Sequence, residues 1–64
     1  MDYKDTAVCS SLKPGEVYSR FELRGLYRKK VSLRDEEEVI IRIEQLAKAG
    51  VFENAIGGYR YVSE

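Results

Sequence analysis

Histidine and tryptophan are absent from the 64 residues, cysteine, proline and methionine occur once each, and 11 Lys or Arg cancel 11 Asp or Glu. Each shortage excludes something. A lone Cys9 closes no internal disulfide, and one thiol without histidine supplies no soft ligand set for structural zinc, so the chain must fold on its apolar core alone. With no histidine to act as its base, Cys9 reads as a small buried apolar residue rather than a nucleophile. Most nucleophile–base enzymes fall with it. No apolar run approaches the ~20 residues of a membrane span. A single thiol with no secretory pattern over Met1 to Ser10 points to a reducing, cytoplasmic setting.

Hydrophobic residues make up 44% of the chain, too many for a disordered tail. A chain this short buries roughly 60% of its unfolded surface. It therefore has one domain, no expected enclosed cleft for catalysis, and no expected cofactor or metal. Ala7, Val8 and Leu12 share a helical face and suggest a short first helix over about 5–12, stopped by Lys13-Pro14-Gly15. Glu16 to Tyr18 has room only for a short strand.

Two helices carry stronger start signals. Ser19 and Glu22 have capping-box spacing, which predicts a helix over 20–30 with Leu23, Leu26 and Tyr27 on its apolar face. Gly25 weakens that helix by ~1 kcal/mol relative to alanine and suggests close approach of a neighbouring element. Ser32 and Asp35 repeat the cap spacing, and Val39, Ile40, Ile43, Leu46 and Ala47 continue at helical intervals, which predicts a third helix over 33–49 ending at Gly50. Asp35 to Glu38 put four carboxylates at its positive end. Residues 51–62 read as two strands joined at Gly57-Gly58, a pair that supplies the positive φ angles of a hairpin turn, with Glu16 to Tyr18 available as a third strand.

The charges are segregated along the chain. Residues 13–34 hold seven Lys or Arg against two Glu, a net +5, whereas residues 35–64 hold three against seven, a net −4. Arg20, Arg24 and Arg28 follow at four-residue intervals and form a stripe beside the apolar face of their helix. Lys29, Lys30 and Arg34 extend it. Such a stripe also suits a plain solvated helix face, and the four carboxylates suit helix-dipole stabilisation, since consecutive helical positions do not converge on an ion.

Helix, short strand, helix, turn, longer helix and hairpin is the order of a winged helix-turn-helix. Leu12-Lys-Pro-Gly-Glu-Val-Tyr-Ser19 with Phe21-Glu-Leu-Arg24 resembles the passage from first to second helix in that family. Ile43-Glu-Gln-Leu-Ala-Lys-Ala-Gly-Val-Phe52 resembles its third-helix ending and wing entry, and Gly58-Tyr-Arg-Tyr-Val62 its returning wing strand. The resemblance implies an α+β fold with three helices and a C-terminal β-hairpin wing. It also implies duplex DNA binding, as in small transcriptional regulators or terminal domains of plasmid- and virus-type replication proteins.

The family's usual geometry places the helix before the wing in the major groove. Here that helix begins with four carboxylates, and two charges at 4 Å already interact by about 1 kcal/mol in water. The expected DNA-binding residues are therefore Arg20, Arg24, Arg28, Lys29, Lys30 and Arg34 on phosphates, with Tyr59 and Arg60 of the wing reaching a neighbouring groove and the acidic helix start pointing away. At least one of Tyr59 and Tyr61 is expected in the core. The alternative expectations are a protein-docking module whose two charged faces meet a partner protein or a second copy of the chain, and a single-stranded nucleic-acid binder using its five tyrosines.

Overall fold

The computed structural model describes residues 1–63. It is an α+β arrangement in the order α1 (Tyr3–Cys9), β1 (Val17–Tyr18), α2 (Arg20–Val31), α3 (Glu36–Lys48), β2 (Phe52–Ala55) and β3 (Gly58–Tyr61). The three strands form one antiparallel sheet in the order β1-β3-β2. The returning strand of the hairpin is thus central, with Val17 opposite Arg60 on one side and Phe52 opposite Tyr61 on the other. No helix among the described residues is long and apolar enough to cross a membrane.

Local chemistry accounts for the helix boundaries. The helix α1 spans Tyr3–Cys9 rather than 5–12, because the Asp2 carboxylate accepts the Lys4 backbone N–H at 2.9 Å and starts it early. Leu12 still reaches the core through a following turn in which its N–H donates to Cys9 O at 3.0 Å. Both halves of the α2 capping box form: Glu22 N–H donates to Ser19 Oγ at 3.0 Å, and Ser19 N–H donates to Glu22 Oε1 at 2.9 Å.

The third helix corrects the expected 33–49 span. Ser32 does not cap it; at φ 56° it is the left-handed residue that closes α2. With Ser32 committed there, the next capping side chain is Asp35, whose Oδ1 accepts the N–H groups of Glu37 at 3.0 Å and Glu38 at 3.3 Å. Leu33 and Arg34 form the connection. The first turn of α3 is then Glu36, Glu37 and Glu38, aligned with the helix dipole.

All three helices and the sheet contribute to the core, with Val8 and Cys9 from α1, Leu23 and Tyr27 from α2, Val39, Ile43 and Leu46 from α3, and Phe52 and Tyr61 from the hairpin. The Tyr61 ring stands edge-on to its cross-strand neighbour Phe52, with centroids 6.1 Å apart. Cys9 is buried as expected.

The glycines separate into different cases. Ala55 pairs with Gly58, so the two turn residues are Ile56 and Gly57 rather than Gly57 and Gly58, and Gly57 alone provides the left-handed angle, at φ 86°. Gly58 is required for another reason: a Cβ there would overlap the Tyr18 carbonyl oxygen and lie 2.8 Å from Ser19 Cα, where β1 hands over to α2. Gly25, by contrast, has no neighbour within 4 Å of a Cβ position, which overturns the expected close approach of another element. Alanine scanning by urea denaturation is expected to split these sites. Gly58→Ala destabilises by about 1–3 kcal/mol through overpacking, whereas Gly25→Ala stabilises by about 0.8–1 kcal/mol through helix propensity. Equal effects at the two positions would contradict the packing described.

Candidate nucleic-acid interface

Four residues along an α-helix advance about 6 Å and rotate about 40°, so Arg20, Arg24 and Arg28 make a gently winding row along α2. Lys29 and Lys30 lie about 100° and 200° round the helix from Arg28 and leave that row. Arg34 is exposed in the connection to α3. The structure therefore brings three of the six cations into one line and sets the others around the C-terminal end of α2. Among the described residues, Arg20, Arg28, Lys29, Lys30 and Arg34 make no ion pair. Arg24 has one loose partner, with its Nη2 4.0 Å from Glu36 Oε2 and both side chains well exposed. A surface contact of that kind contributes ~0–1 kcal/mol.

The acidic start of α3 does not point away as a unit. Glu36 turns toward Arg24, Glu38 turns to the other flank and meets Arg42 Nη2 at 3.0 Å, and Glu37 faces solvent. The outward face of α3, Glu37, Ile41, Glu44 and Lys48, is exposed. It carries two carboxylates against one ammonium and is a poor match for the rim of a DNA groove.

Phe21 is the residue that sequence reasoning missed. It is 77% exposed at the second position of α2, beside the arginine row. Together with Arg20, Arg24, Glu36, Val39 and Ile40 it lines a cleft of about 220 Å³ between α2 and α3. A shallow depression continues along α2 over Gly25 to Arg28. The position of Phe21, three residues before Arg24 and seven before Arg28, was a usable signal, because that spacing keeps its ring on the same flank as the two arginines.

The wing residues are engaged within the domain. Arg60 Nη1 bonds Glu53 Oε1 at 2.8 Å across the hairpin, on the sheet face away from the core. Tyr59 is half-buried, packs 6.1 Å from the Phe52 ring, and lines a separate groove with Glu44, Ala47, Lys48 and Asn54. Tyr61 is the core tyrosine. The turn between the strands carries the fully exposed Ile56 and no cation.

A second polar cluster lies on the opposite flank of α3. The Tyr27 hydroxyl donates to Asp5 Oδ1 at 2.6 Å. Arg42 reaches the same carboxylate at 3.4 Å, Asp2 at 3.4 Å and Glu38 at 3.0 Å. Burial, then the Asp5 hydrogen bond, pushes the Tyr27 hydroxyl pKa well above its ordinary value. Although burial opposes its charge, the Glu38, Asp5 and Asp2 carboxylates hold the Arg42 pKa above its usual range. This cluster borders a groove of about 520 Å³, lined also by Ile41, Gln45 and Ala49. Its one guanidinium is shared among three carboxylates, so the cluster is net negative and holds none of the exposed basic row; it ties α1 to α3 rather than offering a surface to a polyanion. Comparison of the chain with family models, with curated proteins and with solved structures finds no match.

Proposed function

We propose that this domain is a non-catalytic winged helix-turn-helix module that binds DNA through phosphate contacts from α2 and the turn that follows it. The observation that carries this reading is the row of Arg20, Arg24 and Arg28, with Lys29, Lys30 and Arg34 set around the C-terminal end of α2; among the described residues Arg24 alone of these six has a carboxylate partner, and that partner is 4.0 Å away. A polyanion offers these side chains the counter-charge that the described residues do not. The reading differs from the family's usual geometry in assigning the grip to α2 rather than to the helix before the wing, whose outer face is acidic. Tyr59 and Arg60 receive no role in it, since both already have partners inside the domain.

About five phosphate contacts predict that binding of duplex, followed by fluorescence anisotropy, weakens with salt at a log–log slope of about −4 to −5. Arg28→Glu is expected to weaken binding about tenfold or more without unfolding the chain, because the side chain is exposed and makes no ion pair among the described residues. Glu36→Gln is expected to bind equally or more tightly, since it frees Arg24. Undetectable binding at low ionic strength, or a salt-insensitive interaction, would remove the DNA reading.

A second reading, a protein-docking module, draws on Ile41, half exposed on the acidic outer face of α3. It predicts amide chemical-shift changes along α3 with a partner protein and none with duplex.

A further inference from the structure

An exposed phenylalanine is by itself ordinary, since much of any protein surface is apolar. What surrounds Phe21 is not. Phe21, Arg20 and Arg24 of α2 and Glu36, Val39 and Ile40 of α3 line one cleft, and the Glu36 carboxylate lies 4.0 Å from the Arg24 guanidinium. At about 220 Å³ the cleft is smaller than the ~300–1,000 Å³ typical of sites that enclose a whole small-molecule ligand. It suits one flat ring.

Gly25 is an independent observation pointing the same way. A glycine in the middle of α2 costs helix stability, and apart from the adjoining backbone of α2 itself nothing lies within 4 Å of where its Cβ would be, so packing against another element does not explain it. With Phe21, Arg24 and Arg28 it lines a depression on α2. A locally unfavourable residue with no internal justification, placed between an aromatic ring and two guanidinium groups, fits close approach by a ligand.

We propose that the α2–α3 cleft receives one unpaired nucleobase, stacked on Phe21, while the phosphates on either side of it lie on Arg20, Arg24 and Arg28. The preferred ligand is then DNA with a single-stranded overhang rather than blunt duplex, an inference that rests on the phosphate-binding reading and names the substrate of that same surface. Every base has a π-face to stack, and guanidinium groups add cation–π attraction. Glu36, an acceptor only, matches the amino or ring N–H groups of a base edge, an acceptor role that the glutamine variant keeps through its amide oxygen. The arginines advance in steps of about 6 Å along one line, a linear array for a linear polyanion.

The test compares three fluorescent probes at low salt: a short blunt duplex, the same duplex with a thymidine overhang, and the same duplex with an abasic overhang of equal length. The thymidine overhang is expected to bind about tenfold more tightly than the abasic one. Phe21→Ala should abolish that difference while leaving blunt-duplex affinity within about twofold. Gly25→Ala, which should fold more stably than the parent, should shrink the difference as well. The chain has no tryptophan, so Phe21→Trp provides a unique emission expected to be quenched by the thymidine overhang and not by the abasic one. Equal affinity for the two overhangs, or a preference that survives Phe21→Ala, overturns the base site and leaves the phosphate reading intact. Failure of all three probes to bind overturns both.

Discussion

Replacing Asp5 with alanine is expected to destabilise the domain by about 3–5 kcal/mol, the usual cost of removing one partner from a buried charged pair. Its carboxylate accepts the hydroxyl of the fully buried Tyr27 at 2.6 Å and lies 3.4 Å from Arg42 Nη1. Alanine leaves a phenolic hydroxyl in the core without its acceptor and takes from Arg42 the most buried of its carboxylates. At about 0.05–0.15 kcal/mol per residue, a chain of 64 has roughly 3–10 kcal/mol in total, so the loss is a large fraction of it. Asp5→Asn retains size and an acceptor for Tyr27 while losing the charge, and should cost clearly less. Urea denaturation of the two variants checks the account. An alanine variant within ~0.5 kcal/mol of the parent, the range of an ordinary surface change, would show that the cluster contributes nothing.

The second large effect is expected at Leu46, where truncation to alanine should cost about 2–5 kcal/mol through lost burial and the cavity left behind. Leu46 is buried in the last turns of α3, on the face shared with Val39 and Ile43. It also closes the path of the chain into the wing, because its carbonyl accepts the Val51 N–H at 2.9 Å just before β2. Leu46→Met conserves volume and should cost under about 1.5 kcal/mol. If the two substitutions proved equally damaging, packing volume would not be what Leu46 supplies. Neither variant alters the exposed side chains of α2 to which DNA binding is proposed.

The two flanks of α3 therefore differ, one holding the ion cluster and the other the proposed binding cleft. Toward α1, Arg42 is locked among Asp2, Asp5 and Glu38. Toward α2, Arg24 and Glu36 meet only loosely beside an open cleft. The contrast follows from enclosure: charges in the first group are partly withdrawn from water and strengthen one another, while those in the second remain solvated and available to an outside partner.

The sequence alone determined what depends on near neighbours. Ser19 and Glu22 are three residues apart and fixed the start of α2 through side-chain bonds to the backbone. The spacing of Val39, Ile43 and Leu46 identified the buried face of α3, and Cys9 is buried as expected of a small core residue. Tertiary structure decided the rest. Ser32 and Asp35 each have capping chemistry, and only the left-handed turn at Ser32 settled that it ends α2 while Asp35 begins α3. Asp5 meets Tyr27 and Arg42 across separations of 22 and 37 residues. Glu36 against Arg24 and the exposure of Phe21 likewise depend on how two helices cross. Helical periodicity and capping act within about one turn, whereas the partner of a long charged side chain is whichever group packing brings within reach.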